Sequence, residues 1–294
     1  MVSRLMSAFS VLSVFFAVAM TASAQDSLAW KFESGESLKY VVQQSTQMVM
    51  NADGKQNTMN MEQTMDMVWK VTSAAGNGGF KMSQSVERVQ VKTEGGAFGV
   101  VQFDSNSKEP VTSPVVKSMA ESFKKIVGQE FAVTMLATGK VTEVIVPEDL
   151  LKALTDSVQN SNVINEDTLK QMMSQSPVTF PGQPLKKGES WESSQKVELP
   201  FGTMTVVSKL VYEGTEDGVA RISQSPRIEV LPREGAEITM TMKKSEGKGL
   251  VLFDVARGRI TKSDLDLKLD LEVKRLNNAV QQSMRQKTSM VLAE

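Results

Sequence analysis

The stretch LKYVVQQSTQMVMNADGKQNTMNMEQTMDMVW, running from Leu38 to Trp69, constrains the fold more than any other part of the chain. Asp53-Gly54 near its centre is a strong two-residue hairpin signal, because a type I′ turn needs positive φ at both central positions and matches the twist of its flanking strands. Centring the turn there sets the register. Met48 then faces Met59, Thr46 faces Met61, Gln44 faces Gln63, Val42 faces Met65, Tyr40 faces Met67 and Leu38 faces Trp69. All of these lie on one face, and the other face of the second strand carries Thr58, Asn60, Glu62, Thr64, Asp66 and Lys70. A two-residue period held over this length predicts a long antiparallel hairpin with one apolar side.

The methionines of that side admit two readings. Thioethers are soft ligands suited to Cu(I), and Met59 and Met61, two apart on a strand, present their sulfurs in one direction. Against this, the stripe continues into Tyr40, Trp69 and Leu38 as a core face does, and methionine readily fills irregular apolar space. The sequence therefore assigns no metal and no cofactor, and a Met-rich Cu(I) site stands as a minor alternative. Gln44 opposite Gln63 is the unexpected feature. Two amides can satisfy one another, but burying them in a dry core is costly. A wet or ligand-filled concavity removes that cost, and so does projection of the outer hairpin into solvent. The candidate ligand-binding residues are Tyr40, Val42, Gln44, Met48, Met59, Met61, Gln63, Met65, Met67 and Trp69.

The first residues carry Arg4, an apolar run from Ala8 to Met20 and the small residues Ala22-Ser23-Ala24. This is the pattern of a secretory signal peptide over residues 1–24, and it predicts an exported protein, periplasmic or extracellular after cleavage near Ala24. The apolar run is shorter than the roughly 20 residues that span a bilayer, so the chain is not expected to span a membrane with a helix. With 0 cysteines the chain has no disulfides and no lipid-bearing cysteine, so its stability rests on buried area. The 33 basic and 34 acidic residues nearly balance, which gives no electrostatic case for nucleic acid.

Further along, Gly76-Asn77-Gly78-Gly79 turns into FKMSQSVERVQV, where Phe80, Met82 and Val86 share one parity and Val89 and Val91 the other; a bulge near Glu87-Arg88 accounts for the switch. AFGVVQFDS supplies a fourth strand. Thr112 or Ser113 can cap a helix over 114–127, with Pro114 at its first position and Met119, Phe123, Ile126 and Val127 on one stripe. A hairpin turning near Thr138-Gly139 follows, then helical segments over 147–158 and 166–173 separated by a loop over 159–165. The second half returns to strands: one pair turns at Glu216-Asp217-Gly218, and SDLDLKLDLEV sets Leu265, Leu267, Leu269, Leu271 and Val273 inside with its charges protecting an edge or solvent face.

The halves echo one another. Gly188-Glu189-Ser190-Trp191 repeats Gly35-Glu36-Ser37-Leu38, and VTMLATGKVTE aligns with LFDVARGRITK, setting Gly139 on Gly258. The expected architecture is β-rich α+β: a curved antiparallel sheet or sheets from two duplicated meanders, over 25–146 and 177–294, forming one continuous sheet or half-barrel, with a helical insert over 147–176. About three short helices in all are expected, placed as a lid.

Chemistry is sparse. With 0 histidines and 0 cysteines, the usual neutral-pH base, the thiol nucleophile and the common zinc ligands are missing. Ser-x-x-Lys occurs at Ser105, Ser122 and Ser193, but no Ser-Asp-Asn or Lys-Thr-Gly partner follows. Gly139-Lys140 is followed by Val141 where a phosphate loop needs Ser or Thr. No catalytic residue is assigned and the chain is read as non-enzymatic.

With SGESLKY, FDS, GQEFAVTMLATGKVTEV and FPGQPLKKGESW, the chain resembles a family of exported bacterial proteins of unknown function, which implies export and a β-rich fold but no activity. Its architecture is also similar to the periplasmic lipoprotein-carrier half-barrels, whose curved sheet under helices holds acyl chains. The expectation is an exported binding protein with a lipid or other apolar small molecule in the concave face, no nucleic-acid partner, and an unknown protein partner. The alternative is a structural or protein-interaction module of the cell envelope with the same residues as core.

Overall fold

A computed structural model of the chain describes residues 27–52, 54–75, 79–96, 99–108, 114–152, 171, 176–275 and 278–293. The signal-peptide reading of 1–24, Asp53, the turn residues 76–78, the Thr112 and Ser113 caps and the loop over 159–165 lie outside the described residues.

In chain order the elements are β1 (Ser37–Ala52), β2 (Lys55–Ala75), β3 (Gly79–Gly95), β4 (Val101–Asp104), α1 (Pro114–Lys124), β5 (Glu130–Leu136), β6 (Val141–Ile145), β7 (Ser190–Leu199), β8 (Gly202–Glu216), β9 (Val219–Pro232), β10 (Ile238–Asp254), β11 (Arg259–Arg275) and β12 (Asn278–Ala293). The twelve strands form one open sheet in the order β6-β5-β3-β2-β1-β12-β11-β10-β9-β8-β7, with β4 pairing β3 off this path. Both meanders lie in that sheet, joined where β1 pairs β12 antiparallel.

The first hairpin has the register that its turn predicts, with Leu38 opposite Trp69, Gln44 opposite Gln63 and Met48 opposite Met59. Arg88 faces Asp66 and Val86 faces Met67, so Glu87 is the extra, bulged residue. That bulge divides β3 between two partners: 79–85 pair with β5 and 90–93 with β4. Asp217 and Gly218 have φ of 50° and 78°, the two positive values of a type I′ turn.

One expectation is corrected. Among the described residues α1 is the one full-length helix, not one of about three, and beyond Lys124 its last turn tightens, with Ile126 and Val127 sharing the Phe123 carbonyl, before Gly128 turns away at φ 79°. Residues 148–152 are helical, held by Leu150 and Leu151 packing with Val146; most of the two expected mid-chain segments lies outside the described residues. Of the edge and solvent-face roles expected for the outward charges of β11, its place between β10 and β12 leaves the solvent face.

The core closes one end of the sheet. Leu38, Tyr40 and Trp69 join Phe80, Tyr212, Ile222 and Phe253 around Trp30, which is 1% exposed. The Trp30 ring lies 5.6 Å from Phe253 and 6.2 Å from Trp69. The backbone N–H of Trp30 donates to Ala137 in the β5–β6 turn at 2.8 Å, and that of Lys31 donates to Gly258 in the β10–β11 turn at 2.9 Å. β3, β2, β1 and β12 stand between these two hairpins in the sheet. Both turns reach adjacent residues of one segment only because the sheet curves strongly around the face that carries the core. The Tyr40 hydroxyl adds a bond to the Ile260 carbonyl at 3.1 Å, and Arg259 pairs with Glu36 beside it.

At the other side of β3, Asp104 holds β4. It accepts from Arg88 Nη2 at 2.6 Å, Gln90 Nε2 at 2.9 Å and the Asn106 N–H at 2.9 Å. The Arg88 hydrogen bond, more than any other contact, holds the Asp104 carboxyl well below the usual carboxylate range. A group depressed in this way stabilises the fold above its unfolded pKa and loses that contribution as pH falls toward the folded value. Amide protection factors at 101–104, the intrinsic exchange rates divided by the observed ones, should therefore fall below about pH 4, and Asp104→Asn should remove most of that dependence. Protection in the variant that still falls in acid as it does in the parent would contradict this assignment.

Candidate functional site

The core-bearing face continues outward along β2, β1 and β12 well past Tyr40. Val42 lies opposite Met65 and Met290, Gln44 opposite Gln63 and Thr288, Thr46 opposite Met61 and Gln286, and Met48 opposite Met59 and Met284. Paired residues point the same way, so these side chains share one surface. Read from the closed end, that surface is aromatic core, then an apolar row, then a belt of amides and hydroxyls, then an apolar row again.

The belt carries no charge. Gln44 donates to the Thr46 hydroxyl at 3.3 Å and Gln286 to the Thr288 hydroxyl at 3.2 Å, each along its own strand. Thr46 is buried, while Gln44, Gln63, Gln286 and Thr288 are half-buried. Although Gln44 faces Gln63, its amide is engaged with Thr46 and not with its cross-strand neighbour.

A cavity of about 710 Å³ crosses the sheet at this level, lined by residues 43–45, 62–64, 248–250, 264–266 and 287–289 of five adjacent strands. Each strand contributes three successive residues, whose side chains alternate between the faces of the sheet: Gln44, Gln63 and Thr288 stand on the core-bearing face, and Asp264, Asp266 and Lys287 on the opposite one. Partial burial works to raise the Asp264 carboxyl, but hydrogen bonds from Lys262 and Ser289 hold it below its ordinary value. The Ser289 hydroxyl donates to it at 2.7 Å. Glu62 and Thr64, on the opposite face of β2 from Gln63, also line a second cavity of about 450 Å³ that extends to Asp104.

Next to Gly249, which lines the cavity, the sheet is creased. β9 pairs β10 only up to Gln224 opposite Gly249. Beyond it, a Cβ on Gly247 would run into Pro226, and the Ile228 N–H bonds the Ser245 hydroxyl at 2.7 Å in place of a backbone carbonyl. β9 has risen off its neighbour toward the side chains of β10. Pro226 has no N–H to contribute to the ladder, and the glycines leave room for the approach.

The ten candidate residues divide between these regions. Tyr40 and Trp69 are buried in the core, and Met67 packs against it. Val42, Met48, Met59, Met61 and Met65 are half-buried further from the core on the same face, and Gln44 and Gln63 reach the cavity. The Trp69 indole N–H has no hydrogen-bond partner among the described residues. Thr288, Gln286 and Met284 were missed, because β12 was not read as a strand. The signal was present in its alternation from Val280 to Leu292, masked by the glutamines on the apolar side.

Among the described residues, no group of three or more His, Cys, Asp or Glu is placed to hold a metal. No helix among them is long and apolar enough to cross a membrane.

The model of a family described as a family of unknown function, DUF6263, matches residues 77–258, more than half of the chain. No curated protein matches. Among solved structures, one described for lipid–protein interactions in lipovitellin is similar at a TM-score of 0.50 and 12% identity, covering 90% of this chain and 26% of that one. The chain thus spans about a quarter of the lipovitellin chain, and the likeness is one of fold. An outer membrane channel from Pseudomonas putida F1 scores 0.27 at 7% identity over 90% and 97% of the two chains. A DUF1329 family protein from Desulfovibrio piger scores 0.17 at 8% identity over 84% and 83%.

Proposed function

The chain belongs to DUF6263, a family of unknown function, and on its sheet and site we propose that it is an exported, non-enzymatic binding protein for an apolar ligand carrying a neutral hydrogen-bonding group, such as a fatty-acyl ester. The observation that carries this reading is the uncharged belt of Gln44, Gln63, Thr288, Gln286 and Thr46, set across an otherwise apolar face at the level of the 710 Å³ cavity. Ligand sites are mostly apolar concavities of about 300–1,000 Å³ with a few polar groups that fix orientation. Amides that would be a burden in a dry core can donate to and accept from a ligand ester or hydroxyl.

Two further points support the reading. The rows of Val42, Met65 and Met290 and of Met48, Met59 and Met284 are half-buried where a filled core would bury them, which leaves apolar surface for acyl chains on either side of the belt. The fold likeness to lipovitellin, described for its lipid–protein interactions, points the same way. Export rests on the signal-peptide pattern of residues 1–24, and the absence of enzymatic chemistry rests on the residue types. A structural module of the envelope would need a filled interior at the belt, where the cavity lies.

Titrating the mature protein with a fluorescent fatty-acyl ester tests the proposal. Saturable uptake is expected, and Gln44→Leu with Gln63→Leu should weaken it about tenfold, the loss of roughly 1.4 kcal/mol of hydrogen bonding. No saturable uptake by the parent protein would overturn it.

A further inference from the structure

We propose that Met48, Met59 and Met284 form a binding site for Cu(I). Met48 stands on β1 directly between Met59 of β2 and Met284 of β12, so three thioethers from three adjacent strands occupy one transverse row. Side chains opposite one another have Cβ atoms about 4.5–5.5 Å apart. Each methionine carries its sulfur two bonds beyond Cβ on a freely rotating stem, and on the inner side of a curved sheet such stems converge. All three residues are half-buried, accessible to an ion and partly shielded from water. The Met48 sulfur accepts a hydrogen bond from Gln282 Nε2 at 2.9 Å, which draws it toward β12, the strand that carries Met284, and occupies one of its two lone pairs, leaving the other for a metal.

The surroundings select the ion. The same-face neighbours Thr46, Met61, Gln286, Leu269 and Gln282 are all uncharged. Hard divalent cations require oxygen ligands, commonly carboxylates, and zinc requires the Cys and His residues of which the chain has 0. Neutral thioethers in a weakly polar setting favour a soft monovalent ion. The sequence pointed to Met59 with Met61, but Met61 lies opposite Thr46, one row nearer the core. Met284, distant in sequence, supplies the third sulfur. This row is four residues, about 13 Å, from the Gln44 row and is the outer of the two apolar rows open to acyl chains, so ion and ligand share no polar group but compete for the row itself.

Anaerobic titration of the mature protein with Cu(I) against a chromophoric Cu(I) chelator should give one ion per chain. X-ray absorption at the copper edge should show three sulfur neighbours. Met48→Leu, Met59→Leu and Met284→Leu should each weaken binding at least tenfold, and the triple variant should lose it. These exchanges conserve volume, so circular dichroism should report an unchanged fold. Met204→Leu on β8 should leave the affinity as it was. Failure of the parent to retain Cu(I), or undiminished affinity in a folded triple variant, overturns the proposal.

Discussion

Trp30→Ala should lower the unfolding free energy of the mature chain by about 3–5 kcal/mol, the cost of emptying a large, fully buried aromatic site. Trp30 belongs to no strand, yet its ring touches Phe32, Trp69 and Phe253, its N–H bonds Ala137, and its indole nitrogen donates to the Val178 carbonyl at 3.3 Å. It joins hairpins from both halves of the sheet. Removing it takes away apolar contacts, leaves a hole between two turns and removes one of the two donors to the Val178 carbonyl, which keeps the Ser176 hydroxyl at 3.0 Å. Urea unfolding followed by circular dichroism reads the change directly. A loss under about 1 kcal/mol would mean that the closed end depends little on this residue.

The second large effect is expected at Gly139. Its φ is +87°, and a Cβ there would overlap both the Val178 carbonyl oxygen and the Trp30 indole nitrogen. Gly139→Ala should therefore combine a left-handed backbone penalty of about 1–2 kcal/mol with overpacking of about 1–3 kcal/mol. Gly188→Ala separates the two terms. Gly188 has a similar φ of +85° but nothing within 4 Å of its Cβ direction, so that variant should show the backbone penalty alone. Equal losses at the two positions would show that the tight seat of Trp30 against this turn contributes nothing.

Both predictions concern a feature that the sequence half revealed. The echo of VTMLATGKVTE in LFDVARGRITK placed Gly139 over Gly258, and both are hairpin-turn glycines that receive the Trp30-Lys31 segment. What the echo could not supply was the segment itself. Leu28, Trp30 and Phe32 alternate over too few residues to declare a partner, and their burial depends on turns about 110 and 230 residues away. Local turn chemistry was legible wherever one geometry dominated: at Gly54, at Asp217-Gly218, and at the Glu87 bulge where the apolar parity switched.

The face of the candidate site was legible only on the strands whose apolar alternation was clean. β1 and β2 carry uninterrupted turn and pattern signals, and their register followed from them. β12 places Gln282, Gln286 and Thr288 on the same side as Met284, Met290 and Leu292, so its period is regular in space and blurred in hydropathy. That blur is the polar belt itself. A strand that contributes hydrogen-bonding groups to an apolar face departs from the simple alternation by which buried strands are recognised. The pairing of Gln44 with Gln63 was therefore one edge of a larger feature, completed by residues distant in sequence.

The central claim, that the belt and its flanking methionine rows hold an apolar molecule, is most directly tested by organic extraction of the mature protein purified from its natural compartment, followed by mass spectrometry. The account predicts near-stoichiometric recovery of a neutral acyl-bearing lipid, reduced in protein carrying Gln44→Leu and Gln63→Leu. Protein that yields no lipid, and acquires none when incubated with lipid vesicles, would contradict it.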